Sequence, residues 1–276
     1  MPYHDDTPTP LFEEYLHQGE PAQAQRAANW RTAIGLQAVD GLQTSDYLHH
    51  VAQQNIEQKI SLDQSRQLLE SYYKSQAALT PSADDQRQAD IASANIAKIL
   101  STDTFAFTTA GFIALHRRIF HGVFKHAGEL RTYDISKREW VLDGASVSYL
   151  NWEDLRAAID WEIAQEKAFR YSGLSADDMV KHLATFVSGL WQIHPFGEGN
   201  TRTTAVFTIQ YLRSMGFNVD NQPFANNSQY FRNALVRANY RNIARGVDYE
   251  PRFLVQFFRN LILGEQAPLR SRDLKI

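Results

Sequence analysis

The chain has 276 residues, of which 43% are hydrophobic and 21% charged, a composition typical of a globular protein of one or two domains. Its 28 Lys and Arg against 31 Asp and Glu give a formal charge of -3, which disfavours a dedicated nucleic-acid-binding protein because such proteins need a basic surface. There is no cysteine, which excludes disulfides and thiolate metal sites. The N-terminus lacks a secretory pattern and no stretch is apolar enough to span a membrane, so we expect a cytoplasmic protein with no membrane partner.

The N-terminal part is predicted to be an extended arm followed by helices. Residues 1–20 lack a clear period and contain three prolines, so we expect them to be extended. Helical spacing follows over residues 22–42, where Gly41 offers a stop, and in two further helices capped by Thr44 or Ser45 and by Ser61.

Residues 75–90 are polar and include Pro81, a pattern that indicates a linker or an exposed helix start. This stretch is the best candidate for a domain boundary. We therefore expect an N-terminal arm and helical module over residues 1–80, with a regulatory role as one interpretation, and a catalytic domain over residues 81–276.

The remainder of the chain predicts a mainly α fold. Helical patterns cover residues 91–100, 108–120, 152–169, 176–193, 203–215, 228–245 and 249–263. One interval differs, because β-rich segments flank Asp143-Gly144, a dipeptide that favours the two positive φ values of a tight hairpin turn. We expect one β-hairpin there.

The loop between two of these helices has the most informative sequence, WQIHPFGEGNTRTT over residues 191–204. Gly197 and Gly199 permit backbone conformations that bulkier residues resist. The amides from Gly199 to Thr203 begin the second helix, where unpaired N–H groups and the helix dipole attract an anion. The loop therefore predicts a phosphate-binding site.

Three side chains of the same loop add chemistry to that site. Arg202 can bind a second phosphate through paired hydrogen bonds, and Glu198 offers a hard oxygen ligand suited to Mg²⁺. His194 has the neutral pKa range of a base that removes a proton from a hydroxyl group. Each residue alone also fits a structural role, as a helix cap, a solvated carboxylate or a surface ion pair. Their order in one loop favours the functional interpretation.

This order resembles the signature of the Fic proteins, His-x-Phe-x-Asp/Glu-Gly-Asn-Gly-Arg followed, after two intervening residues, by a second Arg. Residues 194–202 match every fixed position but one, since Thr201 replaces the usual Gly. Residues 116–120 and 127–132 resemble the segment that leads to the family's flap, and 228–235 resemble the helix beside its nucleotide base. The resemblance covers residues 90–263 and implies a Fic-type helical bundle.

The resemblance implies transfer of AMP from Mg-ATP to a Ser, Thr or Tyr hydroxyl of a target protein, with self-modification as a further outcome. In this family pattern His194 is the base, Phe196 anchors the loop, Glu198 binds Mg²⁺ and Arg202 binds the β-phosphate. The other implied nucleotide-binding residues are Gly197, Gly199, Asn200, Thr201, Thr203, Tyr230 and Asn233.

The hairpin carries over as the family's flap, an exposed edge that holds a target segment across the active site by β-addition. The implied flap residues are Glu139, Trp140, Val141 and Leu142. A solvated hairpin packed on the body of the protein is the alternative.

Two departures from the family pattern concern the phosphates and their control. The second signature Arg falls at Ala205, so the usual γ-phosphate contact is missing. Autoinhibited family members carry Ser/Thr-x-x-x-Glu-Gly/Asn on a helix whose Glu pairs with that Arg. Here Asp40-Gly41 follows Leu36, which gives only a degenerate version. We treat Asp40 and Gly41 as an inhibitory site by hypothesis, the alternative being an ordinary helix end.

Two other functions remain open at this stage. One is a different phosphorus-centred transfer on the same scaffold, moving a phosphate or another nucleotide. The other is a non-catalytic module that holds a partner protein with the hairpin. The grouped histidines, among them His116, are interpreted as surface residues because their spacing lacks matching carboxylates.

Overall fold

A computed structural model describes residues 11–75, 80–217 and 219–276, and its secondary structure there is helical. The α-helices are α1 (Glu13–Gln18), α2 (Pro21–Gly35), α3 (Asp46–Ile56), α4 (Leu62–Lys74), α5 (Pro81–Leu100), α6 (Thr109–Phe120), α7 (Leu155–Ala168), α8 (Ala176–Ile193), α9 (Asn200–Ser214), α10 (Gln222–Ala238) and α11 (Arg252–Leu263). Short 3₁₀ helices occupy Leu36–Asp40, Trp140–Leu142, Trp152–Asp154, Ile243–Arg245 and Ser271–Leu274. The prediction of a mainly α protein is confirmed. None of the helices in these ranges has the length and apolar character needed to cross a bilayer.

The N-terminal helices begin where side chains cap them. Ser45 accepts the Leu48 amide hydrogen and Ser61 accepts that of Gln64, so both predicted caps are confirmed. The Gln64 side chain also accepts the Ser61 amide, which completes a capping box. The expectation of an extended arm is wrong for residues 13–18, which form α1, and residues 1–10 lie outside the described part of the chain. The 3₁₀ helix after α2 ends at Gly41, whose φ of 71° is the left-handed conformation expected of a helix stop.

The polar stretch before residue 90 is largely helical. Thr80 caps α5, which begins at Pro81, so the interpretation as a helix start holds and that of a linker fails from residue 81 onward. Asp90 is fully buried and accepts hydrogen bonds from the Ser45 hydroxyl at 2.5 Å and the Tyr73 hydroxyl at 2.7 Å. A division near residue 80 stays a prediction, and one hydrophobic cluster includes side chains from both sides of it.

Helix α9 lies at the centre of the protein, because every residue from Asn200 to Leu212 is buried. Helix α2 packs closely on α10 at Gly35. A Cβ at Gly35 would lie 2.0 Å from the carbonyl oxygen of Ala225, and the Ser228 hydroxyl donates to the Gly35 carbonyl at 2.6 Å. This contact positions the end of α2, and with it the 3₁₀ helix that carries Asp40, against α10.

The predicted β-hairpin is not confirmed, since no strand occurs in the described ranges. The turn itself is as expected: Asp143 and Gly144 have φ values of 52° and 86°. The preceding residues, however, form the 3₁₀ helix Trp140–Leu142, and Val141 and Leu142 are both fully buried. Consecutive residues of a strand point to opposite faces, so burial of both favours the helical turn over a strand.

Candidate active site

Hydrogen bonds within the loop between α8 and α9 fix its conformation. His194 ends α8 in the left-handed conformation, with φ 50° and ψ 56°. The Asn200 side chain bonds both backbone groups of Phe196: its Oδ1 accepts the Phe196 amide at 3.0 Å and its Nδ2 donates to the carbonyl at 2.7 Å. Asn200, which the family pattern links to phosphate, therefore also fixes the shape of the loop.

His116 supports the loop from α6, and the interpretation as a surface histidine is wrong. Its ring is fully buried and stacks on Phe196 with centroids 3.8 Å apart. Nδ1 accepts the Gly128 amide at 2.8 Å, and Nε2 donates to the Glu198 carbonyl at 3.0 Å. Burial lowers the pKa of His116 to about 3, so the ring stays neutral and holds the backbone of Glu198. Sequence spacing gave no sign of this pairing.

Arg131, within the segment that resembles the approach to the flap, clamps the loop from the other side. Its Nε donates to the His194 carbonyl at 2.9 Å and its Nη1 to the Tyr133 carbonyl at 2.6 Å. Its Nη2 donates to the Leu150 carbonyl, and its own amide donates to Pro195 at 2.9 Å. The guanidinium is fully buried, so these carbonyls replace the water it has lost. Arg131 is therefore a positioning residue. The sequence analysis included it in the segment 127–132 but predicted no role for it.

His194 has the environment of a neutral base. It is 1% exposed, and its Nδ1 has no hydrogen-bond partner in the part of the chain that the structure describes. The ring packs on Tyr149, with centroids 4.1 Å apart, and edge-on to Trp191. Burial, assisted by the positive charges of Lys137 and Arg232, lowers the pKa of His194 well below 6.5. The imidazole is therefore neutral at physiological pH and able to accept a proton.

The N-terminus of α9 has the features of an anion site. No side chain in the described ranges caps this helix, and Gly199 precedes it with a φ of 75°. A Cβ at Gly199 would lie 2.3 Å from the Phe120 ring, so only glycine fits there. The Thr201 hydroxyl accepts from the buried Trp191 indole at 3.0 Å, and the Thr203 hydroxyl donates to the Gly199 carbonyl at 2.9 Å. Both hydroxyls are thus bonded within the protein. The Thr203 amide donates to the Gly199 carbonyl at 3.0 Å, so the amides of Asn200, Thr201 and Arg202 are the ones that have no intrahelical acceptor and can bind an anion.

Glu198 is the exposed carboxylate of the loop. Its side chain is 55% exposed, and Lys137 Nζ lies 3.3 Å from its Oε2. In the described ranges no group of three or more His, Asp or Glu side chains is arranged to hold a metal ion. The donor chemistry suits Mg²⁺, which takes one or two carboxylates together with phosphate and water oxygens. Glu198 fits such a partial site.

Arg202 is held by the N-terminal region. Its Nε lies 2.9 Å from Asp40 Oδ2, its Nη1 donates to Gln37 at 2.8 Å and its Nη2 to Gln88 at 3.2 Å. The guanidinium also lies over the Phe120 ring, 4.6 Å from its centroid. The side chain is 1% exposed, so these groups form its environment in place of solvent. Arg202, which is predicted to bind a phosphate, and Asp40, which is predicted to be inhibitory, are therefore direct neighbours.

Asp40 also contacts Arg232, which extends the network to the flap segment. Arg232 Nη1 lies 3.3 Å from Asp40 Oδ1, and its Nη2 donates to Glu139 at 2.8 Å. The two carboxylates raise the pKa of Arg232 despite its burial. Gly41 follows Asp40 and ends its 3₁₀ helix.

The four predicted flap residues differ strongly in exposure. Glu139, Val141 and Leu142 are buried, whereas Trp140 is 46% exposed. The Val141 carbonyl accepts the Ile276 amide at 3.0 Å, so the chain's own C-terminal residues contact this edge. Of these four residues, Trp140 is therefore the one whose side chain is exposed to solvent.

The two residues predicted near the nucleotide base lie on α10. Tyr230 is buried and its hydroxyl donates to the Phe253 carbonyl at 3.2 Å. Asn233 is fully buried, and its Nδ2 has no hydrogen-bond partner within residues 11–75, 80–217 and 219–276. Tyr230 thus has an internal bond, while Asn233 retains a free donor. Gly197 lies on the loop between α8 and α9, and a Cβ there would be 2.8 Å from the Tyr133 hydroxyl.

Comparison with known proteins identifies related sequences. The model of the Fic/DOC family matches residues 106–212. Protein adenylyltransferase VbhT of Bartonella schoenbuchensis is 30% identical over 106 residues, which cover 38% of this chain and 21% of that protein. The probable protein adenylyltransferase y4lH of Sinorhizobium fredii is 29% identical over 130 residues, or 47% of this chain and 64% of that protein. The match thus spans about a fifth of the length of VbhT and somewhat under two thirds of the length of y4lH.

Solved structures share the fold at low sequence identity. A Fic family protein from Desulfovibrio desulfuricans has a TM-score of 0.56 at 13% identity, covering 92% of this chain and 69% of that chain. The N-terminal Fic domain of a Bartonella effector protein has a TM-score of 0.51 at 18% identity, covering 67% of this chain and 84% of that chain. The first match extends over almost the whole chain and therefore includes the N-terminal helices.

Proposed function

From the premise that this chain belongs to the Fic/DOC family, we propose that it is a protein adenylyltransferase, which transfers AMP from Mg-ATP to a hydroxyl group of a protein. The observation that carries the proposal is the buried, neutral His194 on the loop that leads to the N-terminus of α9. Among the described residues its Nδ1 has no hydrogen-bond partner and that N-terminus has no side-chain cap. A base and an anion site in one rigid loop are what such a transfer requires.

In this reaction the target hydroxyl gives its proton to His194 and attacks the α-phosphorus. The bond to the β-phosphate breaks and pyrophosphate leaves. The amides at the start of α9 stabilise the charge on the phosphoryl oxygens, since they are oriented before the substrate arrives. Mg²⁺, held by Glu198 together with phosphate oxygens, would supply further charge neutralisation. Arg131 and His116 act through the backbone, by keeping His194 and Glu198 in place.

We further propose that Asp40 restrains this activity. Its carboxylate contacts Arg202, the side chain that the family pattern assigns to the β-phosphate. A phosphate that binds Arg202 has to compete with Asp40 or be repelled by it. The absence of an arginine at position 205 supports the same interpretation, because the carboxylate then has Arg202 as its partner in the loop. Gly41 contributes by ending the 3₁₀ helix that carries Asp40.

A second candidate is the transfer of a different phosphorus-containing group. The observation that favours it is Ala205, a fully buried residue where the family pattern has the γ-phosphate arginine. A donor with only two phosphates loses nothing from that replacement. Comparing the mass added to a target from ATP and from diphosphate-linked nucleotides separates the two reactions.

For the target, Trp140 is the exposed aromatic side chain of the flap segment, and it provides an anchor of the kind that is enriched at protein interfaces. The modified residue type, Ser, Thr or Tyr, stays a prediction of the resemblance, as does a cytoplasmic location.

The test is incubation of the chain with Mg-ATP and a cell lysate, followed by mass spectrometry for proteins that gain one AMP. His194→Ala is the matched control, because it removes the base and leaves the phosphate contacts in place. Modification that is lost with His194→Ala supports the proposal. A wild-type chain that fails to bind Mg-ATP would instead favour the non-catalytic binding module.

A further inference from the structure

We propose that Tyr133 is the residue on which this protein modifies itself, in cis, by forming a phosphodiester between its phenolic oxygen and AMP. The inference rests on the proposed adenylyltransferase activity and names an acceptor for it. Tyr133 follows the Arg131 clamp and is 56% exposed.

The first observation is the position of the Tyr133 hydroxyl beside the loop between α8 and α9. It lies 2.8 Å from the point that a Cβ on Gly197 would occupy. Gly197 stands three residues after His194 and directly before Glu198. The hydroxyl therefore lies beside the loop that carries the proposed base and metal ligand, and an alanine at position 197 would displace it.

The second observation is that one side chain fixes both partners. The Arg131 guanidinium donates to the Tyr133 carbonyl at 2.6 Å and to the His194 carbonyl at 2.9 Å. The backbone of the acceptor and that of the base are thus held together without a flexible connection. The Tyr133 hydroxyl is not hydrogen-bonded to any of the residues that the structure describes, so it is available to a substrate.

Two other tyrosines, one beside His194 and one at the surface, are less suitable. Tyr149 packs on His194, but its hydroxyl is buried beside Glu139 and Arg232. Tyr249 is 53% exposed, yet its ring lies under Arg241 rather than over the loop. Tyr133 combines exposure with contact to the loop, and Tyr249 provides a control of equal exposure.

The step balances without another reactant. The Tyr133 phenolic oxygen attacks the α-phosphorus of ATP, the new phosphorus–oxygen bond forms as the bond to the β-phosphate breaks, and pyrophosphate leaves. The phenolic proton passes to His194. Because donor site and acceptor belong to one chain, the rate per molecule does not depend on protein concentration.

The experiment incubates the full chain with Mg-ATP and follows intact mass, in the wild type and in Asp40→Asn. We expect addition of one AMP, at a rate unchanged by tenfold dilution. Trypsin releases residues 132–137, TYDISK, in which fragment ions separate Tyr133 from Thr132 and Ser136. Tyr133→Phe keeps the ring against Gly197 and should abolish the addition, whereas Tyr249→Phe should not change it.

The outcomes separate this inference from the proposed function. Modification of another residue, or a dilution-dependent rate, overturns the assignment of Tyr133 in cis and leaves the adenylyltransferase proposal standing. The same holds if lysate proteins gain AMP while the chain itself does not. If neither the chain nor any lysate protein gains AMP in either variant, the proposed function fails and the inference fails with it.

Discussion

Replacing Asp40 by Asn tests whether the N-terminal region controls the phosphate site. The substitution removes the negative charge while keeping one oxygen and nearly the same shape. Asp40 contacts Arg202 at 2.9 Å and Arg232 at 3.3 Å. Arg202 is 1% exposed, so solvent screens this pair little, whereas Arg232 keeps Glu139 as a second partner.

The size of the effect follows from the contact that a phosphate must displace. Asp40 Oδ2 and Arg202 Nε lie 2.9 Å apart as an ion pair and are not aligned as a hydrogen bond. Close charge pairs couple by about 1.5 kcal/mol or more, and 1.4 kcal/mol corresponds to a tenfold change in affinity. We therefore expect the Kd of Mg-ATP to fall by about 10–100-fold in Asp40→Asn. The free protein should become less stable by a comparable amount, because Arg202 is left buried with a weaker partner.

Titration calorimetry measures the affinity, and thermal unfolding with and without Mg-ATP measures the stability. Asp248→Asn is the control, since Asp248 pairs with Arg241 at 3.2 Å on the surface and both side chains are at least half exposed. Self-modification by Asp40→Asn should also exceed that of the wild type. A destabilised variant that binds Mg-ATP no more tightly would refute the reasoning and leave Asp40 as a structural partner of Arg202.

Four further predictions concern His194, Glu198 and Asp90. His194→Ala should keep Mg-ATP binding by calorimetry but lose about two to four orders of magnitude in transfer rate, and near-normal transfer would contradict its role as base. Since burial lowers the pKa of His194, the wild-type rate should also stay level as pH falls through 6.5. Glu198→Ala should raise the Mg²⁺ concentration for half-maximal activity by about 10–100-fold, and an unchanged Mg²⁺ titration would exclude it as a ligand. Desolvation raises the pKa of Asp90 from 3.8 to about 6, so the folded state binds the proton more tightly and stability falls as pH rises from 4 to 7. The free energy of unfolding in urea should decrease between pH 4 and pH 7 by about 3 kcal/mol less in Asp90→Asn than in the wild type. An equal decrease in both proteins would argue against a buried, desolvated carboxyl.

The local features of the fold were predictable because their signals are local. Ser61 was predicted to cap a helix, and its side chain accepts the Gln64 amide at the start of α4. Asp143-Gly144 adopts the two positive φ values that its composition favours. The hairpin expected around that turn is not confirmed in the described ranges. Val141 and Leu142 are buried together there, and adjacent burial depends on tertiary packing rather than on the residues themselves.

The candidate site was predictable in its loop but not in the side chains that support it. His194, Glu198 and Arg202 lie within nine residues, so one motif contains them. His116, by contrast, bonds to a carbonyl 82 residues away, and Gln37 bonds to Arg202 across 165 residues. Such pairs have no sequence period, so only the folded structure reveals them.

The contact between Gly35 and Ala225 makes the site sensitive to mutation at a distance. Asp40 belongs to a 3₁₀ helix that begins directly after Gly35, and α10 lies against this glycine with no room for a methyl group. An alanine at position 35 would push the two helices apart and shift the carboxylate relative to Arg202, since a close-packed interior transmits displacement instead of absorbing it. A variant with every loop residue intact could then differ in activity, and screens limited to the motif would overlook its cause.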